Sequence, residues 1–227
     1  MLIKAAFGLL WLGFISYAVI FAPPAQPDTF TLIQNLATGN WEGINPLIVA
    51  LFNLMGIWPL IYSSVLFVDG RDQKIPAWPF AIASFGVGAF ALLPYLALRQ
   101  PNPTFSGQPN WLIKVLESRI TAIILTIATL VLISYGLKDG NGSDFIQQWQ
   151  TSRFIHVMSL DFCVLSLVFP ALLGDDMARR GMNNSALFWI VALIPMLGAL
   201  LYLCVRSPLE ASEQKTSASA PHPVINS

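Results

Sequence analysis

Six long apolar runs alternate with short polar segments rich in proline and glycine along this chain. Each run approaches the ~20 residues that a helix needs to cross about 30 Å of hydrocarbon. Because unpaired backbone groups cannot face lipid, the runs are predicted to be helices. The predicted spans lie near residues 2–22, 46–68, 77–98, 116–137, 153–173 and 185–205. The pattern therefore predicts an all-α, polytopic transmembrane bundle of about six spans over residues 1–206.

The segments outside these runs need separate interpretation. The first run follows Lys4 like a secretory signal, but it is as long as a full span and lacks a clear cleavage site. It is predicted to be an uncleaved first helix. Residues 29–41 are mildly amphipathic and are predicted to lie in the interface or to re-enter the membrane. Residues 207–227 are polar and have no hydrophobic period, so they are predicted to form a disordered tail.

Composition supports the membrane class. The chain is 55% hydrophobic and 11% charged, whereas about a quarter of the residues in soluble domains are charged. Twelve basic residues balance twelve acidic residues, so nothing indicates a nucleic-acid partner. Cys163 and Cys204 lie inside apolar runs and form no CxxC pair, so no metal site is predicted. The predicted partners are the lipid bilayer and a larger membrane protein complex.

Basic residues in the loops indicate the orientation. With a cytoplasmic N-terminus, six spans would place seven of the twelve basic residues inside and five outside. The first outer loop, residues 23–44, carries no lysine or arginine. The N-terminus is therefore predicted to be cytoplasmic, in either a plasma membrane or a thylakoid membrane.

Two segments echo each other at a distance of 107 residues. Tyr95 to Pro101 closes the third predicted span, and Tyr202 to Pro208 closes the sixth. The same offset of 107 residues aligns the turn that begins at Asp69 with the turn that begins at Asp176. Two copies of a three-helix unit would have opposite orientations, as in many transporters. The alternative is that apolar helices ending in Arg-x-Pro resemble each other by composition alone.

Asp161 is the first candidate for chemistry because it lies well inside the fifth predicted span. A carboxylate at that depth is costly and is usually paired, protonated or turned toward a polar cavity. One interpretation is a proton- or cation-coupled role, and the other is a hydrogen-bonded aspartate that fixes helix packing. The predicted partners are Asn53 and the polar face of the fourth span. That face comprises Ser118, Thr121, Thr126 and Thr129.

His156 completes the candidate intramembrane polar site with Asp161 and Asn53. It lies five residues before Asp161, so the two side chains point about 140° apart on a helix. A membrane haem usually needs two histidines, and the spans contain no second one. A single imidazole could ligate the magnesium of a tetrapyrrole, but a hydrogen-bonded interfacial histidine is the favoured interpretation. Cofactors are otherwise unknown.

A charged cluster is predicted at one face of the bundle, where it could close that face or bind a lipid headgroup. Asp175 with Arg179 and Asp176 with Arg180 are i,i+4 pairs on a helical turn, which predicts local ion pairs. The sequence contains no nucleophile–histidine–acid set and no glycine-rich phosphate loop. No catalytic residue is assigned. The candidate cluster consists of Asp175, Asp176, Arg179, Arg180, Glu117 and Arg119.

A sequence resemblance indicates the kind of membrane in which the protein is expected to lie. The run FNLMGIWPLIYSSVLFVDGRDQKIPAWPFAIASFGVGAFALLPYL, together with FWIVALIPMLGALLYLCVR, resembles uncharacterised multi-pass membrane proteins of cyanobacteria and plastids. The resemblance covers most of the chain except the tail. It implies a photosynthetic membrane and identifies no functional residue.

Three functions follow from these observations as hypotheses. The first is an assembly or accessory protein of a membrane complex, for which the resemblance implies a photosynthetic setting. The second is a small transporter of inverted halves with Asp161 in its pathway. The third is a membrane-embedded enzyme acting on a lipid or isoprenoid through Asp161 or through Asp175 and Asp176.

Overall fold

The structure is a computed structural model that describes residues 2–105 and 108–209 of the 227-residue chain. Within these ranges it contains twelve α-helices and no strands. A π-helical turn, Tyr17–Phe21, continues α1. From residue 210 onward, the predicted tail lies outside the described residues. The helices are α1 Leu2–Ser16, α2 Thr29–Thr38, α3 Pro46–Asp69, α4 Trp78–Val87, α5 Ala89–Leu98, α6 Trp111–Glu117, α7 Arg119–Asp139, α8 Gly142–Thr151, α9 Arg153–Val168, α10 Pro170–Arg179, α11 Ser185–Leu193 and α12 Leu197–Val205.

Four helical segments in the described ranges are long and apolar enough to cross a membrane. They are Leu2–Phe21, Pro46–Asp69, Arg119–Asp139 and Arg153–Arg179, of 20, 24, 21 and 27 residues. At 1.5 Å per residue, each spans about 30 Å or more, which is the hydrocarbon thickness of a bilayer. The prediction of a helical membrane bundle is confirmed.

Asparagine and proline define where α3 begins. Asn45 Oδ1 accepts a hydrogen bond from the backbone N of Leu47, and Pro46 occupies the first helical position. The same asparagine donates from Nδ2 to the carbonyl oxygen of Asn141 and to Asp144 Oδ2, both at 2.7 Å. One side chain therefore caps α3 and ties it to the start of α8.

The third predicted span consists of two short helices, α4 and α5, that fold back on each other at Gly88. Gly88 has φ +50° and ψ −125°, a conformation that glycine adopts readily and other residues do not. Ala77, before α4, lies against Gly70, and Arg99, after α5, binds Asp69. Both ends of this hairpin are therefore at the same end of the bundle. Each ten-residue arm is about 15 Å long, half of the hydrocarbon thickness.

The sixth predicted span is a second hairpin, formed by α11 and α12. Pro195 has no N–H group with which to continue α11, and Met196 has a positive φ of +57°. Ser207, just after α12, donates from its backbone N to Sδ of Met182, just before α11, at 3.4 Å. This hairpin also begins and ends at the same place.

Six full spans are therefore not observed in the described residues. Hydropathy counts the apolar residues in a run but does not report whether the helix reverses in the middle of it. The runs 77–98 and 185–205 consequently satisfy the length rule although each one forms a hairpin. The other four predicted runs coincide with the four long segments to within a few residues at most boundaries, but the fifth continues to Arg179.

The long helices all connect the same two ends of the bundle. We define the charged end as the end that holds Asp69, Arg99, Asp176 and Arg206, and the opposite end as the end that holds Asn45. α1 begins at the charged end, where Lys4 Nζ donates to the carbonyl oxygen of Leu98 at 3.4 Å. α7 also begins there, whereas α3 and the α9–α10 segment both finish there.

The predicted inversion of the two halves is not observed. Inverted halves would place Asp69 and Asp176 at opposite ends of the bundle. Arg179 instead lies 3.3 Å from both carboxylates. Because α3 and α9–α10 reach the same end, the two sets of helices run in the same direction.

The core is filled by aromatic side chains between α3, α5, α10 and α12. Trp58, Tyr62, Tyr95, Tyr202 and Phe169 are the largest fully buried side chains. At the opposite end, a smaller apolar cluster buries Leu36 of α2 against the starts of α3 and α9. The segment predicted to be interfacial thus contains a helix that packs onto the bundle.

Candidate functional site

The charged end contains a network of ionic side chains that come from five separated parts of the chain. Of the six residues predicted for a cluster, five take part: Asp175, Asp176, Arg179, Arg180 and Glu117. Asp69, Arg99 and Arg206 join them. Arg119 is exposed at the start of α7 and forms no ion pair with the residues that the structure describes.

Asp69 is the centre of one half of this network. It is fully buried at the end of α3. Arg99 donates to its two oxygens from Nε at 2.8 Å and from Nη2 at 2.5 Å, and the Tyr95 hydroxyl donates to Oδ2 at 2.6 Å. Arg179 donates from Nη1 at 3.3 Å. One carboxylate therefore holds α3, α5 and α10 together.

Asp176 is the centre of the other half. It is also fully buried, and the Tyr202 hydroxyl donates to its Oδ2 at 2.6 Å. Arg180 donates to it from Nε at 2.9 Å, which confirms the predicted i,i+4 pair. Arg206 Nη1 lies 3.6 Å from the same oxygen. α10 and α12 are thus joined in the way that α3 and α5 are.

The predicted pair of Asp175 with Arg179 is wrong. Asp175 binds Arg99, and Arg179 turns inward between Asp69 and Asp176. Asp175 is only part-buried, whereas Arg179 is buried. Helical spacing brings the two residues to neighbouring turns, but the buried acids offer Arg179 two partners away from water.

Glu117 completes the network from the end of α6. It accepts two hydrogen bonds from Arg180, both at 2.7 Å, and lies 2.9 Å from Arg206. The eight ionic side chains are then four arginines and four acids. The charges within this network cancel.

Three arginines of the network, Arg99, Arg180 and Arg206, remain charged. Burial lowers the pKa of Arg99, but the hydrogen bonds and charges of Asp69 and Asp175 outweigh burial and raise it. Burial alone would also lower the pKa of Arg180, but Glu117 and Asp176 outweigh burial and raise it. Burial and the neighbouring Arg180 lower the pKa of Arg206, although a guanidinium stays protonated in proteins. The carboxylates are therefore occupied as counter-charges, which does not suit them to hold a metal ion or a diphosphate.

Asp161 lies apart from this network, beside the turn of the first hairpin. Its Oδ1 accepts a hydrogen bond from the backbone N of Ala89 at 2.8 Å, and its side chain lines a cavity of about 540 Å³. The cavity is bounded by α1 with its π-helical turn, α3, the tip of the α4–α5 hairpin and α9. Asp161 is thus hydrogen-bonded to the tip of the hairpin and also borders a largely apolar cavity, so both interpretations of this residue stay predictions.

The predicted partners of Asp161 do not reach it. Asn53 donates from Nδ2 to the carbonyl oxygen of Val49 in its own helix, at 2.8 Å. In the fourth predicted span, Thr121 and Thr126 donate to backbone carbonyls near them in the chain. Ser118 caps α7, and Thr129 is buried without a hydrogen-bond partner among the described residues.

His156 is held by two hydrogen bonds at the opposite end. Its Nδ1 lies 2.9 Å from the carbonyl oxygen of Trp149, and its Nε2 lies 2.9 Å from the hydroxyl of Tyr17. A carbonyl oxygen can only accept, so Nδ1 carries hydrogen, and in the neutral ring Nε2 accepts from Tyr17. The ring also stacks on Trp149 at 4.3 Å. Both nitrogens are occupied, so this geometry does not present His156 to a tetrapyrrole.

The chain is similar in sequence to a known membrane protein. No family model matches the chain, and no solved structure matches it. A similar curated protein is the succinate dehydrogenase hydrophobic membrane anchor subunit of Rickettsia bellii (strain RML369-C). The alignment of 108 residues is 29% identical and covers 43% of this chain and 83% of that protein. The chain is an integral membrane protein.

Six residues central to the charged network belong to the two segments that echo each other in the sequence. Asp69 and Asp176 are 107 residues apart, as are Tyr95 and Tyr202, and each tyrosine bonds the aspartate that precedes it by 26 residues. Arg99 and Arg206 follow the same offset. Reading the two segments as one recurring triad would have identified the network.

Proposed function

We propose that this protein is an accessory subunit that packs into, or supports the assembly of, a larger membrane complex. The observation that carries the proposal is the similarity to a protein named as a membrane anchor subunit. The proposal takes over the role of a membrane-embedded subunit and not the activity of the enzyme in that name.

The geometry of the charged end supports the same role. Four buried arginines and four acids neutralise one another and join five helices. We infer that this buried network fixes one arrangement of the helices, because a different arrangement would leave a buried charge unpaired. A bundle with a single arrangement suits a packing subunit.

A native gel tests the accessory role. The full-length chain, extracted from its own membrane with a mild detergent, is expected to migrate with partner proteins in a complex larger than the monomer. Partner chains identified by mass spectrometry should persist after a second purification step. An unrelated tagged membrane protein of similar length is the control. Migration of the chain only as a monomer across several mild detergents contradicts the proposal.

The transporter alternative has the cavity beside Asp161 in its favour. However, the rings of Trp58, Tyr62 and Phe169, with centroids 5.4–6.0 Å apart, fill the core between Asp161 and the charged end. The cavity therefore ends half-way through the bundle. For the enzyme alternative, the carboxylates of Asp175 and Asp176 are bound to arginines, whereas Asp161 stays a candidate. The described residues favour the accessory role over the transporter and over an enzyme that uses Asp175 and Asp176.

For the fold, we propose four full spans and two re-entrant hairpins arranged as two parallel repeats. Each repeat would comprise a span away from the charged end, a short helix at the opposite end, a span back, and a hairpin. Two full spans return the chain to its starting side, so the two copies share one orientation. The recurring Asp–Tyr–Arg triads support this plan.

This arrangement also changes the basic-residue count. Among the described residues, nine lysines and arginines lie at the charged end and two at the opposite end. The nine are Lys4, Arg71, Lys74, Arg99, Lys114, Arg119, Arg179, Arg180 and Arg206, and the two are Lys138 and Arg153. Such a bias supports a cytoplasmic charged end, with the N-terminus on that side. The choice between a plasma membrane and a thylakoid membrane stays a prediction.

Cysteine labelling separates four spans from six. Lys74 and Lys114 are both exposed at the charged end, whereas six spans would place them on opposite sides. In a Cys163→Ser, Cys204→Ser background, Lys74→Cys and Lys114→Cys are both expected to resist a membrane-impermeant maleimide until intact cells are permeabilised. Glu42→Cys, at the opposite end, is expected to react without permeabilisation and is the control. Labelling of only one of the two lysine positions in intact cells contradicts the hairpin.

A further inference from the structure

The cavity beside Asp161 has the construction of a binding site. It extends from the opposite end of the bundle, near Thr29 and Arg153, to the tip of the first hairpin. Its walls are mainly apolar side chains: Phe52, Met55, Phe85, Phe90, Phe154 and Val157. A volume of about 540 Å³ falls in the range of small-molecule sites, which are mostly apolar with a few placed polar groups.

Asp161 is the polar group at the inner end. Its residue is 5% exposed. Oδ1 accepts from Ala89, and no group in residues 2–105 or 108–209 donates to Oδ2. A buried carboxyl with one unused oxygen in the membrane carries a large desolvation cost. A hydrogen-bond donor or a cation inside the cavity would offset that cost.

Arg153 is the polar group at the mouth. Its Nε donates to the carbonyl oxygen of Pro23 at 2.9 Å, which holds the guanidinium at the opposite end of the bundle. It precedes Asp161 by eight residues on one helix, a rise of about 12 Å. The site therefore offers a cation at the interface and a carboxyl about 12 Å deeper, with apolar walls between them.

Backbone features at the tip keep this space open. A Cβ atom added to Gly56 or to Gly86 would meet no atom within 4 Å, so these glycines leave room on two sides of the cavity. A Cβ atom added to Gly88 would overlap Oδ2 of Asp161. The corresponding tip of the second hairpin has Pro195 and Met196, and no acid meets it among its described contacts. Among the described residues, the carboxyl at the tip is thus a feature of the first hairpin.

We propose that this cavity binds an elongated, largely apolar molecule whose inner end carries a hydroxyl or an amine that donates to Asp161. An acceptor or anionic group at its outer end would face Arg153. The apolar walls select a chain-like body, and the carboxyl selects a donor at the buried end. The site does not depend on the accessory role, because it rests on the cavity and its lining.

Photolabelling in phospholipid nanodiscs tests the site. The probes are a twelve-carbon alcohol and a twelve-carbon amine, each with a diazirine in the chain, and a matched methyl ether that cannot donate. Labelled peptides are identified by mass spectrometry. The alcohol or the amine is expected to label the segments that contain Met55 and Val157 about tenfold more than the ether does, the value of a hydrogen bond to a buried carboxyl.

Two variants and one control variant locate the labelling. Gly56→Leu fills the cavity and is expected to reduce labelling of these segments by about tenfold, as a blocked pocket should. Gly13→Leu is the matched control, because a Cβ atom there also meets nothing within 4 Å but lies on α1 outside the cavity. Asp161→Leu, whose side chain has no acceptor, is expected to remove the preference for the alcohol and the amine over the ether. Equal labelling of Gly56→Leu and Gly13→Leu, or equal labelling by all three probes, overturns the proposal.

Discussion

Replacement of Asp69 by asparagine is expected to lower the unfolding temperature of the purified protein by roughly 10 °C, the shift expected for loss of one partner of a buried ion pair. Asparagine keeps the size of the side chain and can still accept from Tyr95. It removes the charge that Arg99 and Arg179 share. Two buried guanidinium groups would then lack part of their counter-charge, which costs about 3–5 kcal/mol.

Thermal unfolding in detergent measures this effect. It is followed by circular dichroism or, in a Cys163→Ser background because Cys163 is exposed, by the fluorescence of a thiol-reactive dye at Cys204. Asp28→Asn is the control, since Asp28 is exposed and its side chain does not cap α2. Asp176→Asn is expected to resemble Asp69→Asn, because it faces three arginines. Combining Asp69→Asn with Arg179→Gln should cost less than the sum of the single effects. An unfolding temperature for Asp69→Asn equal to that of Asp28→Asn would show that the network does not stabilise the fold.

Replacement of Gly88 by alanine is expected to destabilise the protein by about 3 kcal/mol, the scale of a strained backbone together with an overpacked core. At φ +50° and ψ −125°, a Cβ atom is strained by its own backbone. The same atom would overlap Oδ2 of Asp161. The tip would have to shift, and the hydrogen bond from Ala89 to Asp161 would be lost with it.

Gly86→Ala is the matched control two residues away. A Cβ atom there meets nothing within 4 Å, and alanine is favoured over glycine within a helix by about 0.5–1 kcal/mol. Combining Gly88→Ala with Asp161→Ala should recover the part of the lost free energy of unfolding that comes from the steric overlap. The part that comes from the positive φ of residue 88 should remain. If denaturation curves gave Gly88→Ala and Gly86→Ala the same free energy of unfolding, the tip would tolerate a side chain.

Only part of the candidate site could be predicted from the sequence. The reason differs between its two regions, the surroundings of Asp161 and the charged end. The depth of Asp161 follows from its position in an apolar run, so its unusual environment could be predicted. Its neighbours, the tip of the first hairpin and the cavity, depend on the reversal at Gly88. A single glycine in an apolar run does not reveal such a turn, because glycine is common in straight membrane helices.

The charged end could also be predicted only in part from the sequence. The i,i+4 rule correctly pairs Asp176 with Arg180, since both lie on one helical turn. It fails for Asp175, because Arg99 approaches from a distant part of the chain and binds it instead. Ion pairs between separate helices depend on which helix ends meet, and local spacing carries no information about that.

The sequence by itself determined that the chain is a helical membrane protein, where the four long apolar helical segments lie, and that Asp161 is buried among apolar residues. These features follow from local composition, because the cost of placing polar groups in lipid applies residue by residue. Only the tertiary structure decided that two runs reverse, that both halves point the same way, and that Asp69 and Asp176 share Arg179. Hydropathy reports how apolar a run is and not the direction in which it travels, so these features had to come from the contacts between helices.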